Sequence, residues 1–128
     1  LSGTVGAPKE SMKTVIEIQS EGFEREIRAA AKPVLVQFCT SWSGQCRILA
    51  PSLEALAAEL DDEVQVARLD LDHCPELAIR YGITEAPMLI LFDNGAPIAR
   101  LDVSMSPRQL KAQLHGLLGD YAMPPTIG

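Results

Sequence analysis

The stretch Trp42-Ser43-Gly44-Gln45-Cys46 is the part of this chain best suited to chemistry. It follows a short apolar run and leads into an amphipathic one, so it reads as a loop that opens a helix. A thiol at a helix N-terminus meets unpaired backbone N–H groups and the positive end of the helix dipole, and both favour thiolate. Cys46 is therefore the candidate nucleophile. The chain has three cysteines, and the other two have blander readings. Cys39 ends a buried strand, where a small buried hydrophobe is the default role, although a Cys39–Cys46 disulfide is conceivable. Cys74 stands beside His73 on a loop before Pro75 and is expected to be exposed. It is either a thiol activated by its neighbour or a solvent-facing cysteine without a role. Cys39, Cys46, His73, Cys74 and His115 show no paired zinc spacing, so neither a metal nor a cofactor is expected.

The elements that must position these residues follow from periodicity. Residues 14–19 alternate and are β-branched, which predicts a strand. Ser20 is read as the N-cap of a helix with Phe23, Ile27 and Ala30 on one face, stopped at Lys32-Pro33. Residues 34–38 form a short apolar run, the mark of a strand buried on both faces. Cys46 to Leu60 reads as a helix with Leu49, Leu53, Leu56, Ala57 and Leu60 as its stripe and Pro51 as a kink. Asp61-Asp62-Glu63 is an acidic, solvated turn. Residues 64–70 form a third strand, and 75–81 a short helix begun by proline. A fourth strand covers 88–92, and Asp93-Asn94-Gly95 signals a hairpin. The fifth strand, 97–101, carries a proline that suits a sheet edge. The last helix runs from 107 to 118 with Leu110, Leu114 and Leu117 inward, and Gly119 is read as its end. The first half is thus a βαβαβ unit with parallel strands and right-handed crossovers, and the second adds an antiparallel hairpin and a covering helix.

Composition narrows the function classes. A length of 128 residues is one domain's worth. Hydrophobic residues at 47% and charged residues at 22% exclude a disordered tail, a collagen-like repeat and a coiled coil. A net charge of −6 argues against nucleic acid as a partner. No apolar run approaches the ~20 residues that span a bilayer, so no membrane is expected either. An odd, small number of cysteines suits a reducing compartment, by default the cytoplasm. The expected division is 1–11 as a flexible lead-in or tag remnant, 12–119 as the domain and 120–128 as a tail. Nothing signals a dimer interface, so a monomer is expected.

The order of strand, loop, cysteine and proline-bearing helix resembles the thioredoxin family. That family's motif is Trp-Cys-Gly-Pro-Cys, matched here at Trp42, Gly44 and Cys46. The resemblance covers roughly residues 13 to 118. Val34 to Phe38 resembles the central strand, Ala50-Pro51 the helix-kinking proline, Tyr81-Gly82-Ile83 with Ala86-Pro87 the segment at the cis-proline, and Phe92 to Gly95 the hairpin. The resemblance implies a thioredoxin-like α/β fold, a mixed sheet flanked by helices on both faces. It implies that Cys46 stands at the second, resolving cysteine and that Trp42 flanks the active site. It further implies a cis bond at Pro87 and a substrate groove formed by Trp42, Gly44, Gln45, Ala86, Pro87 and Val103.

The departures bear on mechanism. Ser43 stands where the family has its attacking cysteine, and a hydroxyl cannot attack a disulfide. Gln45 replaces the motif proline. Gln37 replaces a buried acid, and Arg68 matches the lysine near it. Cys39 replaces a tryptophan, Met88 a threonine and Val103 a glycine. Three readings stay open. One is thiol–disulfide exchange and redox homeostasis with a single active-site thiol, Cys46, using protein clients and a reductant such as glutathione or a reductase. Another is a redox-silent binding or chaperone module that uses the groove around Pro87. The third is an engineered dithiol reductase in which Ser43 replaces cysteine. Protein-disulfide oxidoreductase activity follows if Cys46 is reactive or if Ser43 is such a replacement.

Overall fold

The computed structural model describes residues 15–40, 43–60 and 63–122. Among them the chain forms β1 (Val15–Glu17), a 3₁₀ turn (Ser20–Gly22), α1 (Phe23–Ala29), β2 (Val34–Cys39) and α2 (Gly44–Glu59). It continues with β3 (Gln65–Asp70), a second 3₁₀ turn (Leu71–His73), α3 (Pro75–Tyr81), β4 (Met88–Asp93), β5 (Ala96–Leu101) and α4 (Pro107–Ala122). The strands form one five-stranded sheet in the order β1-β3-β2-β4-β5. β1 and β2 each pair parallel with β3, whereas β4 pairs antiparallel with both β2 and β5. This is the α/β architecture with a mixed sheet that the element order requires.

Each face of the sheet has its own core, because side chains alternate along a strand. Val34, Val36 and Phe38 of β2 join Ile90 and Phe92 of β4 under α1 and α3, which contribute Phe23, Ile27 and Leu77. Leu35 joins Leu89 and Leu91 on the other face, under Leu49, Leu53 and Leu56 of α2 and Leu110 and Leu114 of α4. The first core is aromatic: Phe23, Phe38, Tyr81 and Phe92 meet with ring centroids between 5.3 and 6.3 Å apart. Their edge-on and tilted arrangements suit the ring quadrupoles.

The hairpin between β4 and β5 is built as Asp93-Asn94-Gly95 predicts. Asn94 and Gly95 both take positive φ, 55° and 83°, the pair that a tight hairpin turn needs. Pro97 lies on the edge strand β5 beside a register shift at Leu91/Phe92, which accommodates its missing N–H.

Three local expectations are corrected. Ser20 does not cap α1: it opens a 3₁₀ turn, and Gly22 stands at the N-cap without a side-chain bond. α2 begins at Gly44, not at Cys46. α4 runs past Gly119 to Ala122, since a glycine ends a helix only when it turns left-handed and is otherwise tolerated at about 1 kcal/mol. The acidic residues 61 and 62 lie outside the described residues, as do 1–14, 41–42 and 123–128. Glu63, the last of the acidic turn, is exposed and pairs with His115 at 2.8 Å.

Phe92 has its ring against three others and is fully buried, so Phe92→Ala should cost about 3–5 kcal/mol in urea unfolding. Ile79 is exposed, and Ile79→Ala should stay within about 0.5 kcal/mol. Equal losses at the two positions would contradict this division of the core.

Candidate functional site

The C-terminal end of β2 and the N-terminus of α2 carry the motif. Ser43 takes an extended backbone (φ −89°, ψ 114°) and stands at the N-cap of α2. Its Oγ accepts a hydrogen bond from the Cys46 backbone N–H at 3.3 Å. It thereby satisfies one of the donors that every helix start leaves without an intrahelical partner. The hydroxyl at the position of the family's attacking thiol is thus engaged in holding the helix end. Sequence reasoning missed this, although a serine three residues before the first inward helical side chain is a start signal.

Cys46 heads the buried stripe of α2 that continues through Leu49, Leu53 and Leu56. Only 8% of it is exposed, but it lines a cleft of about 310 Å³. Ser43, Cys39 and Thr40 line the same cleft, with Arg47 from α2 and Glu17, Arg68 and Asp70 from the sheet. Cys39 is on this side because β2 alternates: Leu35, Gln37 and Cys39 share the face that α2 covers. Burial pushes the Cys39 thiol well above the ordinary thiol range. The Cys46 thiol adds to this through a hydrogen bond and its charge, while Arg68 opposes it and Asp70 adds slightly.

Beneath the cleft, Gln37 is fully buried where the family has an acid. Its Oε1 accepts from Arg68 Nε at 3.2 Å, and Arg68 also reaches Glu17 at 3.1 Å. Arg68 thus keeps a carboxylate partner, but the partner comes from β1 and lies at the surface. Gln37 Nε2 and Thr40 Oγ1 are buried without hydrogen-bond partners among the described residues. A group left so costs about 1–3 kcal/mol.

The remaining site residues fall elsewhere. The Ala86–Pro87 peptide is cis. Pro87 and Val103 line a second cleft of about 210 Å³ with Gln45, Ile48 and Met105. Ile48 is 71% exposed, the feature of this cleft that sequence reasoning missed. Gln45 and Cys46 are adjacent in sequence yet face different clefts, because successive helical residues point about 100° apart. Gly44 is exposed at the first turn of α2, and Ala86 is half-buried. Trp42 lies outside the described residues. Three of the expected groove residues, Gln45, Pro87 and Val103, thus line one cleft, while Cys46 lines the other.

Cys74 requires a correction. It is fully buried, not solvent-facing, and its Sγ donates to the Asp70 carbonyl at 3.2 Å. The 3₁₀ turn 71–73 bends the chain inward, and Cys74 packs with Leu69 and Leu77 in the aromatic core. Its neighbour His73 cannot be taken as evidence of a reactive thiol.

The cap at Ser43 can be tested directly. Ser43→Ala should lower stability by about 1 kcal/mol, while Ser43→Gly should cost only a few tenths. Urea unfolding of the two variants measures the difference, and an alanine variant as stable as the parent would remove the cap from the account.

Comparison with known proteins fits this geometry. The thioredoxin family model matches residues 14–116. A thioredoxin from Alicyclobacillus acidocaldarius is 45% identical over 87 residues, covering 68% of this chain and 83% of its own. A thioredoxin-like protein from Synechocystis is 35% identical over 99 residues, 77% of this chain and 94% of its own. A bifunctional thioredoxin reductase/thioredoxin from Mycobacterium leprae is 38% identical over 86 residues, which are 67% of this chain and 19% of that protein. A family match that takes in the whole sheet, the capped helix bearing Cys46 and the Ala86–Pro87 turn makes this chain a member of the thioredoxin family, whose chemistry is thiol–disulfide exchange.

Proposed function

We propose that this protein performs thiol–disulfide exchange through Cys46 as the single motif thiol. Ser43 acts as a helix cap and takes no part in the covalent step. The observation that carries this reading is the position of Cys46 at the first turn of α2, lining a cleft of about 310 Å³. That volume lies at the lower end for small-molecule sites, about 300–1,000 Å³. It suits a low-molecular-weight disulfide such as oxidised glutathione, or one cysteine of an extended client segment. Exchange needs a thiolate attacking along the sulfur–sulfur axis, and a helix N-terminus favours that form. The partners in this reading are protein clients and a thiol reductant, either glutathione or a reductase. The compartment is the cytoplasm, where thiols stay reduced. Among the described residues no helix is long and apolar enough to cross a membrane.

A second reading draws on the separate cleft at Pro87. Val103, Met105 and exposed Ile48 give it apolar surface beside the polar Gln45, Ser52 and Ser106, and Cys46 does not line it. A binding or chaperone module would use this cleft and need no thiol.

Native alkylation tests the first reading. Iodoacetamide at neutral pH should label Cys46 ahead of Cys39, whose thiol burial holds protonated, and should leave Cys74 untouched. The label is located by peptide mapping; a Cys46 that reacts only after denaturation would end the exchange reading. Capture of a cysteine-free unfolded polypeptide tests the second. If the Pro87 cleft binds clients, Cys46→Ala should retain affinity within about twofold, while Ile48→Asp should lose it by roughly tenfold, the effect of about 1.4 kcal/mol.

A further inference from the structure

Cys39 has no part in the exchange just described, yet the fold sets it against the thiol that does. The period of β2 directs it to the face under α2, and the inward stripe of α2 starts at Cys46. Both thiols line one cleft, and both are more than nine-tenths buried. Position 43, where the family holds its attacking sulfur, offers only a capping hydroxyl. We infer that Cys39 and Cys46 form a reversible dithiol–disulfide couple in which Cys39 supplies the resolving thiol that Ser43 cannot.

The inference rests on Cys46 being the exchanging thiol. In the first step Cys46 attacks a low-molecular-weight disulfide, R–S–S–R. A Cys46–S–S–R bond forms, the R–S–S–R bond breaks, and one RSH leaves with the Cys46 proton. In the second step Cys39 attacks the Cys46 sulfur. The Cys39–Cys46 bond forms, the mixed disulfide breaks, and a second RSH leaves with the Cys39 proton. The two cysteines together give up two electrons and two protons, and the small disulfide is reduced to two thiols. The order of attack follows from surroundings: the Cys39 thiol is held protonated chiefly by burial, and the Cys46 charge strengthens this.

Sequence makes the couple easy to read. Cys39 and Cys46 fall on one tryptic peptide, 29–47, and Cys74 on another, 69–80. The reduced full chain is incubated with oxidised glutathione at neutral pH, quenched with acid and alkylating agent, and digested without reductant. Peptide 29–47 should then be unalkylated and two hydrogens lighter than its dithiol form, and dithiothreitol should restore it. Cys39→Ala and Cys39→Val should instead hold a stable glutathione adduct on Cys46, with thermal melting confirming that each variant folds. A wild-type protein that keeps glutathione on Cys46 while Cys39 is alkylated would overturn the couple and leave single-thiol exchange standing. A Cys46–Cys74 link would also overturn it. Neither adduct nor link, in wild type or variants, would remove the exchange reading together with the couple. If neither variant folds, the wild-type peptide decides alone.

Discussion

Six consecutive residues of β2, Val34 to Cys39, are out of water, so every peptide group in the strand must find a partner within the sheet. Parallel β3 on one side and antiparallel β4 on the other supply those bonds along its length. Two faces of one buried strand then need two covers. α1 and α3 close one side with an aromatic core, and α2 and α4 close the other with leucines. The remaining strands extend this arrangement outward, with β1 and β5 left as edges. A polar residue within β2 is correspondingly expensive, which makes Gln37 informative. It stands in the strand with one hydrogen bond from Arg68 and one buried amide nitrogen without a partner among the described residues.

The motif sits where that strand runs out. A buried strand that leads into a helix delivers the helix N-terminus, with its orphan N–H groups, to the rim of the sheet. In the family pattern a thiol occupies the first motif position. Here a hydroxyl occupies it and bonds the backbone N–H of Cys46. The substitution is conservative for the helix and radical for the chemistry, because oxygen serves as a capping acceptor but not as a partner in disulfide exchange. The same end of the sheet places a different sulfur, Cys39, beside Cys46.

Separate clefts on either side of α2's first turn give the site two surfaces, one lined by thiols and one without them. One is sulfur-bearing and lined by charged groups, Glu17, Arg47, Arg68 and Asp70. The other sets Ile48, Val103 and Met105 beside Pro87, with Gln45, Ser52 and Ser106 also in its lining. The helix turn of about 100° per residue is what divides them, since it sends Gln45 and Cys46 to different clefts.

The sequence by itself carried the architecture. The apolar run at Val34, the leucine stripe of α2, Asn94-Gly95 and Pro75 each act through short-range physics, namely burial periodicity, turn sterics and a fixed proline φ. All of them appear in the structure within a residue or two. The thioredoxin resemblance was legible for the same reason, since its signposts are local. Weaker local signals misled. Ser20 resembled a cap that a 3₁₀ turn displaced, and Gly119 resembled a stop that the helix passed through. What only tertiary structure decided was where side chains from different elements meet. The loop position of Cys74 suggests exposure, but the residue is buried with Leu69 and Leu77 in the aromatic core. Cys39 is the small buried residue that its strand end predicts, but its neighbour across the cleft, Cys46, comes from α2. Arg68 and Glu17 are far apart in the chain and joined by the pairing of β1 with β3. Spacing along the chain fixes periodicity within an element, whereas contact between elements depends on the register and crossing of the whole sheet, which no single stretch of sequence encodes.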